Sequence, residues 1–353
     1  MNLKNLLSRN AKNYLKYVIS HHEGRYAELR GKPKVVVCLG ADYGNLGDVA
    51  ITIAQMKYLK RLFPQREVLE FPISMTYTGM KDLKACVGPN DLVATVGGGN
   101  TSARYEDIEE CRQFIIRQFA DNPIVCFPQS VELENPRFAE GFRKTYLSHR
   151  NLRYMVRETF SLEAVHQVAP ELKVGLFPDI VLSLEPSLDS LTRREGIVVS
   201  LRSDKERMLS DAEKACILRT LSDFGDVTLR DTQVKSASFD MLTRERLLED
   251  LLKAYRQARL VVTDRLHGMI LAYVAGTPCI AFSGDNPKIK GCYEWIADSK
   301  RVTFFDEFSE RDFFKVVSDL LVVEDEGSPD IDFSAMDAFI LGAISTASRN
   351  GGF

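Results

Sequence analysis

The stretch Leu260–Phe282, LVVTDRLHGMILAYVAGTPCIAF, decides the fold. A short apolar run opens it, a segment with helical spacing follows, and Cys279–Phe282 predicts the next strand. A strand–helix–strand unit of this kind places its two strands in parallel in one sheet. Ligands of open parallel sheets bind beyond the carboxyl ends of the strands, and Arg265 and His267 stand at that position.

Arg265 and His267 also stand where the predicted helix begins. A helix N-terminus offers unpaired N–H groups and the positive end of the helix dipole, and both favour an anion. Arginine is a permanent cation, whereas histidine titrates near neutral pH. The combination predicts a phosphate or carboxylate site. The alternative interpretation of each residue alone is a cap, a surface ion pair or a partly buried polar side chain.

Length and composition limit the class of protein. A chain of 353 residues predicts two domains, and 45% hydrophobic with 27% charged residues is typical of a soluble globular protein. The net charge of −3 gives no basic field that would indicate nucleic acid. The seven cysteines form no CxxC pair, so we expect core thiols in a reducing compartment. The chain shows neither a membrane-spanning apolar run nor a signal-peptide pattern, and we expect a cytoplasmic protein.

Residues 1–33 predict a separate N-terminal segment built on an amphipathic helix. Its apolar residues fall on one helical stripe: Leu3, Leu6, Leu7, Tyr14, Leu15, Val18 and Ile19. Residues 1–32 carry seven Lys or Arg residues against Glu23 and Glu28, a net charge of +5. We expect this helix to dock on the neighbouring domain with its basic side in water. Peripheral contact with the inner, anionic face of a membrane is the second hypothesis.

The first predicted buried strand, Lys34–Leu39, ends in a glycine-bearing loop, GADYGNLGD. This loop is neither a GxGxxG fingerprint nor a P-loop, so the sequence does not predict dinucleotide or triphosphate binding. Asn45 and Asp48 have side chains suited to sugar hydroxyls. Helix capping is the alternative explanation for Asp48.

Three further strand ends of the first half carry small or polar groups. The strand Asp91–Val96 runs into three consecutive glycines and Asn100. Because consecutive glycines are entropically unfavourable in a folded chain, we expect close approach of a ligand or of another loop there. PQS at 128–130 and RE at 157–158 follow two later strands. We expect these groups and the GNLGD loop to line one rim.

A charged stretch near 185–195 marks the predicted domain boundary. It separates an N-terminal Rossmann-like domain, 34–188, from a C-terminal Rossmann-like domain, 189–353. Both halves are successions of strands and helices. The predicted fold class is therefore α/β, with two Rossmann-like domains facing a cleft.

The ordered set of motifs resembles the polysaccharide pyruvyl transferase family. The motifs, over roughly residues 35–295, are GNLGD, VGGGN, PQS, RE, PD, SLR and TDRLHG. The resemblance implies a GT-B-like fold and transfer of the pyruvyl group of phosphoenolpyruvate to two hydroxyls of a sugar. The product would be a cyclic ketal, with release of phosphate. The implied acceptor is a bacterial cell-surface polysaccharide or its lipid-linked oligosaccharide precursor.

The resemblance also implies roles for individual residues. His267 would be the catalytic residue, and Arg202, Arg265 and Lys288 would bind the donor. The residues implied on the acceptor side, in the N-terminal domain, are Asn45, Gly47, Asp48, Gly98, Gly99 and Asn100. Phosphoenolpyruvate would be a co-substrate and no cofactor is implied. Because arginines can meet the donor's charge, the sequence predicts no metal.

Two other functions compete with this interpretation. A GT-B glycosyltransferase with a nucleotide-sugar donor is the alternative, because the same Arg and His could hold a diphosphate. A non-catalytic carbohydrate-binding protein ranks third, since Arg265 and His267 are both present. The sequence leaves the acceptor sugar, the ketal stereochemistry and the oligomeric state open.

Overall fold

A computed structural model of the chain describes residues 8–185, 194–203, 207–235, 239–284, 286–322 and 331–350, without side chains for 346–350. The chain forms two compact units. Unit one comprises Met1–Asp42, Ile51–Phe177 and Phe333–Phe353. Unit two comprises Tyr43–Ala50 and Pro178–Asp332.

The described residues contain strands and helices in alternation. The strands are β1 (Lys34–Gly40), β2 (Glu67–Pro72), β3 (Leu92–Thr95), β4 (Gly98–Thr101), β5 (Ile124–Val131), β6 (Leu152–Val156), β7 (Val174–Leu176), β8 (Ile197–Ser200), β9 (Val227–Leu229), β10 (Leu260–Thr263), β11 (Cys279–Phe282) and β12 (Val302–Phe305). The α-helices are α1 (Arg9–Ile19), α2 (Leu46–Leu62), α3 (Met80–Cys86), α4 (Glu106–Gln118), α5 (Pro136–Ser148), α6 (Thr159–Val168), α7 (Asp211–Ser222), α8 (Met241–Gln257), α9 (Leu266–Val274), α10 (Pro287–Tyr293), α11 (Glu310–Leu320) and α12 (Ser334–Asn350). Among the described helices, none is long and apolar enough to cross a membrane.

Unit one contains a seven-stranded sheet in the order β2-β1-β3-β5-β6-β7, with β4 paired to β5. The described strand pairs of this sheet are all parallel. Every residue of β1 and of β5 is buried. Strands covered on both faces read as continuous apolar runs, which explains why VVVCL was recognisable in the sequence.

Unit two contains a five-stranded parallel sheet in the order β12-β11-β10-β8-β9. The predicted strand–helix–strand unit is confirmed: β10, α9 and β11 follow one another, and Val261 pairs in parallel with Cys279. β10 lies between β8 and β11, and its four residues are buried. The α/β class with two parallel sheets is therefore confirmed. All seven cysteines are buried thiols, as predicted.

The units differ from the predicted domain bounds 34–188 and 189–353 at the segment Tyr43–Ala50, which belongs to unit two. Two backbone hydrogen bonds hold it beside the chain that follows β9. The Leu46 amide donates to the Thr232 carbonyl at 2.8 Å, and the Val234 amide donates to the Gly44 carbonyl at 2.7 Å. Hydrogen bonds to a distant segment, and not the order of the sequence, therefore place these residues in unit two.

A second difference is α12, which belongs to unit one although it is near the end of the chain. Arg153 of β6 donates to the Phe339 carbonyl at 2.7 Å, and Asn151 donates to the Ala343 carbonyl at 3.0 Å. The chain passes from unit one to unit two between Phe177 and Pro178, which is earlier than the predicted boundary. Residues 186–193 of that predicted boundary lie outside the described residues.

The N-terminal helix α1 packs on the rest of unit one, but with a different face from the one predicted. Its apolar residues Tyr14, Leu15, Val18 and Ile19 are exposed rather than docked. The contact is made by Tyr17 and by polar groups instead. The predicted stripe residues Leu3, Leu6 and Leu7 lie outside the described residues.

Candidate functional site

Thr263 turns the chain from β10 into α9. Its hydroxyl donates to the Ser200 carbonyl at 2.9 Å and accepts from the Arg265 amide at 3.1 Å. Gly268 lies directly against this threonine, and a Cβ on Gly268 would collide with the Thr263 hydroxyl oxygen. The helix can therefore begin this close to the strand because residue 268 has no side chain.

Asp264 of the TDRLHG segment is hydrogen-bonded to the SLR segment. One oxygen of its buried carboxyl accepts from the Arg202 amide at 2.7 Å. The other oxygen has no hydrogen-bond partner among the described residues. Burial raises the pKa of Asp264, while the Arg202 amide and the charges of Arg265 and Lys214 act in the opposite direction. Two predicted donor-site residues, Arg202 and Arg265, are thus connected through one buried carboxyl.

Arg265 is the residue immediately before α9, as predicted. Its guanidinium Nη2 lies 2.7 Å from Oδ1 of Asp231, which follows β9. Sequence reasoning missed Asp231, because a lone acidic residue in a loop carries no local signal. The ion pair orients the guanidinium and partly neutralises it.

His267 lies in the first turn of α9, where it faces Asp179. The imidazole Nε2 lies 3.6 Å from Oδ2 of Asp179, and only 14% of the His267 side chain and 2% of the Asp179 side chain are exposed. The other carboxylate oxygen of Asp179 accepts from the Val181 amide at 2.9 Å, which fixes the carboxylate. Nε2 has no hydrogen-bond partner among the described residues.

The GNLGD loop contacts the other side of this imidazole. A Cβ on Gly47 would lie 2.5 Å from Nδ1 of His267 and 2.7 Å from its Cγ, so any larger residue would displace the ring. Asn45 shapes the loop, because its side-chain oxygen accepts from the Gly47 amide at 3.0 Å. The structure therefore brings Asn45 and Gly47 to His267 within unit two, although the resemblance assigned them to the N-terminal domain.

Asp48 and Lys288, two further predicted site residues, each take part in a local hydrogen bond. Asp48 lies in the first turn of α2 and accepts from the Tyr43 hydroxyl at 2.9 Å. Lys288 lies in the first turn of α10, where its amide donates to Asn286 at 3.0 Å. α10 packs against α9, the helix that carries His267. The sugar-binding role of Asp48 and the donor-binding role of Lys288 remain predictions.

The second glycine-rich segment, residues 97–100, belongs to unit one, and most of it is strand β4 rather than a loop. A Cβ on Gly97 would lie 2.7 Å from the carbonyl oxygen of Pro128. Gly98 has a φ of +128°, which side chains rarely permit. Of the two expected reasons for these glycines, approach of another chain segment is the one seen at Gly97.

Asn100 is anchored by Arg112, a fully buried arginine of α4. Arg112 donates to the Asn100 side-chain oxygen, to Thr101 Oγ1 at 3.1 Å and to Gln129 Oε1 at 3.3 Å. It also forms a buried ion pair with Glu109. This network accounts for Asn100 structurally, whereas its role with Gly98 and Gly99 on the acceptor side remains a prediction.

Ser130 of PQS and both residues of RE belong to a buried polar cluster and do not line an exposed rim, so that expectation is wrong for them. Arg157 Nε lies 2.9 Å from both Ser130 Oγ and Glu158 Oε1, and Ser161 donates to Glu158 at 2.8 Å. All four side chains are buried. Burial raises the pKa of Glu158, opposed by Arg157 and by the two serine hydroxyls. The cluster ties β5 to the start of α6.

Comparison with known proteins gives the family. The profile of the family described as "Polysaccharide pyruvyl transferase" matches residues 45–286. General stress protein 30 of Bacillus subtilis is 31% identical over 315 residues, which covers 87% of this chain and 90% of that protein. Pyruvyl transferase 1 of Schizosaccharomyces pombe is 28% identical over 267 residues, which covers 71% of this chain and 66% of that protein.

Solved structures support the fold. The UDP-GlcNAc 2-epimerase of Methanocaldococcus jannaschii has a TM-score of 0.53 at 10% identity, and the match covers 89% of this chain and 99% of that chain. At this identity the likeness concerns the fold alone, which is that of the GT-B class. The family profile spans more than half of the chain, from Asn45 of the GNLGD motif through TDRLHG. It also supports the predicted transferase class. This chain therefore belongs to the polysaccharide pyruvyl transferase family.

Proposed function

We propose that this protein transfers the pyruvyl group of phosphoenolpyruvate to two hydroxyls of one sugar in a cell-surface polysaccharide or its precursor. The observation that carries the proposal is the TDRLHG segment. At the carboxyl end of β10 it combines a cation, an imidazole and the first turn of a helix. The arrangement suits a small substrate with two negative groups and a carbon that must accept a proton.

The donor would be bound by its two anionic groups. Phosphoenolpyruvate carries a carboxylate and a phosphate close together, and arginine binds either group with two parallel hydrogen bonds. Arg265 and Arg202 would hold one group each, because Asp264 links their segments. The amide groups at the start of α9 would add a third favourable contact, and Lys288 a further cation. Because arginines meet the donor's charge, we propose no metal.

His267 would move the protons. It would deliver one proton to the methylene carbon of phosphoenolpyruvate, which becomes a methyl group and leaves an oxocarbenium-like carbon beside it. One sugar hydroxyl adds to that carbon, phosphate leaves, and the second hydroxyl closes the ketal. Of the two hydroxyl protons, one replaces the proton that His267 delivered and the other leaves with phosphate.

Asp179 and Gly47 would position this imidazole, and Asn45 and Asp48 would bind the acceptor. The Asp179 carboxylate lies 3.6 Å from Nε2 and would orient the ring through this contact. Gly47 would keep the ring in one orientation, because it lies in van der Waals reach of Nδ1 and Cγ. Asn45 and Asp48 lie near Gly47 in the same loop, where Asn45 could donate hydrogen bonds to sugar hydroxyls and Asp48 could accept hydrogen bonds from them.

The test measures phosphate released from phosphoenolpyruvate with a panel of galactosides, mannosides and N-acetylhexosaminides. We expect release with at least one acceptor, a pyruvylated product by mass spectrometry, and unchanged rates in EDTA. Thermal shift separates the alternative: phosphoenolpyruvate should stabilise the protein, and UDP and GDP should not. Stabilisation by a nucleoside diphosphate alone would favour a nucleotide-sugar glycosyltransferase and end this proposal.

A further inference from the structure

The outward side of α1 is an apolar face made of Tyr14, Leu15, Val18 and Ile19, called here the α1 outer face. These side chains are 58%, 47%, 50% and 62% exposed, respectively. Successive residues of an α-helix are about 100° apart, so positions 14, 15, 18 and 19 share one arc of the helix surface. A helix of a soluble domain normally turns such an arc toward the core.

The opposite side of α1 is held against unit one by specific contacts. The rings of Tyr17 and Phe114 pack edge to face, with centroids 5.2 Å apart. Arg9 at the start of the helix donates to Glu110 at 3.2 Å. At the other end, Lys81 donates to the carbonyls of Val18 and Ser20 at 2.8 and 2.6 Å. These contacts fix the rotation of the helix, so the α1 outer face cannot turn inward without breaking them.

Exposed large apolar side chains are concentrated on this helix. Among the described residues of unit one, the large hydrophobic side chains that are exposed are those of the α1 outer face and Leu341. Scattered exposed apolar residues are normal, whereas a contiguous group marks an interaction surface.

The charge beside the α1 outer face indicates the partner. Lys12 and Lys16 are exposed on the same helix, next to the apolar arc. Residues 1–32 carry a net charge of +5, although the whole chain carries −3. An apolar arc with lysines along one edge is the pattern of a helix that lies in a bilayer surface, where lysines meet anionic headgroups.

We propose that the α1 outer face binds the surface of an anionic bilayer. The four apolar side chains enter the headgroup region, and Lys12 and Lys16 contact lipid phosphates. A second copy of this chain is a weaker candidate, because four half-exposed side chains bury far less than the about 800 Å² per partner of a stable interface. The inference is independent of the proposed reaction, and it would hold the enzyme where a lipid-linked acceptor is found.

The test is co-sedimentation of the full chain with phosphatidylglycerol-containing vesicles and with pure phosphatidylcholine vesicles. We expect binding to the anionic vesicles, with partition lowered on the order of tenfold by Leu15→Ser with Val18→Ser. Lys12→Glu with Lys16→Glu should lower it by a similar factor, and so should high salt. Leu341→Ser is the matched control, an exposed apolar residue of the same unit. It should bind as the wild type does.

Circular dichroism and thermal melting of each variant establish that it is folded. Phosphate release from phosphoenolpyruvate with a soluble acceptor should be unchanged in all of them, so a failed reaction and a failed membrane contact give different results. Absence of binding to anionic vesicles, or wild-type binding by the Leu15→Ser with Val18→Ser variant, overturns the proposal. So does a dimer in light scattering that this variant abolishes while vesicles bind no protein.

Discussion

Two glycine-bearing strand ends look alike in the sequence and differ in what approaches them. In unit two, the missing side chain of Gly47 leaves room for the imidazole of His267. In unit one, the missing side chain of Gly97 leaves room for the main-chain carbonyl of Pro128. Glycine at a strand end therefore predicts a close approach, but the identity of the approaching group decides whether the segment serves a site or the packing.

The side chains around the two segments differ in the same way. The His267 side chain keeps some exposure, and its Nε2, although buried, has no hydrogen-bond partner among the described residues. Arg112, which anchors Asn100, is fully buried and is bonded to several side chains of unit one. A group that retains exposure and bonding capacity can meet a substrate. A group that is enclosed and bonded on several sides stabilises the fold.

The largest effect expected from this comparison concerns His267. His267→Ala should lower kcat by about 100-fold or more, because general acid–base groups contribute about 10²–10⁴-fold. Thermal melting should change little, since Nε2 of the ring has no hydrogen-bond partner among the described residues. His166→Ala, an exposed histidine of α6, is the control and should keep wild-type turnover. Near-normal turnover of His267→Ala would show that the contact between Gly47 and His267 is ordinary packing. The Gly47 and Gly97 segments would then not differ in function.

The largest effect on stability should come from Arg112. Arg112→Met leaves Glu109 buried without its counter-charge and removes the donor to Asn100, so we expect the free energy of unfolding to fall by about 3–5 kcal/mol. Arg117→Met is the matched control, an exposed arginine of the same helix, and should change it by less than about 1 kcal/mol. Denaturation followed by circular dichroism measures both. Equal free energies of unfolding for Arg112→Met and Arg117→Met would show that the buried network does not anchor residues 97–100.

Exchanging one hydrogen for a methyl group tests the two glycines directly. Gly47→Ala should displace the imidazole, so kcat falls about tenfold while the melting temperature changes little. Gly97→Ala should lower the melting temperature by several degrees, because its Cβ meets a main-chain carbonyl that cannot rotate away. The folded Gly97→Ala protein should keep its donor KM. The reverse pattern, stability lost at Gly47 and turnover lost at Gly97, would contradict the comparison.

The sequence predicted those parts of the molecule that depend on neighbouring residues. The unit β10-α9-β11 follows from apolar runs and helical spacing within 23 residues, Leu260–Phe282. The position of Arg265 and His267 at the strand end follows from the same local pattern.

The parts that the sequence did not predict depend on contacts between distant residues. Gly98–Thr101 looks like a loop because glycines lack strand propensity, yet pairing of Gly98 with Gln129 makes it a strand. Asp179 and Asp231 are single carboxylates, and their proximity to His267 and Arg265 arises only when the sheet of unit two assembles. The same applies to Tyr43–Ala50, since two hydrogen bonds to a remote segment decide its unit.

The smallest expected effect concerns Asp179, which we assign as a positioning residue for His267. Asp179→Asn keeps an acceptor for the Val181 amide and removes the charge beside Nε2, so the fold should be retained. We expect kcat to fall about threefold to fivefold, with the KM for phosphoenolpyruvate within about twofold, because the proposed donor contacts involve other residues.

Rescue by a conservative variant distinguishes this role from a structural one. Asp179→Glu, which keeps the carboxylate, should recover part of the lost kcat at an unchanged KM for phosphoenolpyruvate. A structural role would instead lower the melting temperature of both variants. Full turnover of Asp179→Asn would mean that Gly47 alone positions the ring. The difference between the two glycine segments would then depend on one contact. That contact is the approach of the His267 imidazole to Gly47, where Gly97 is approached by the Pro128 carbonyl.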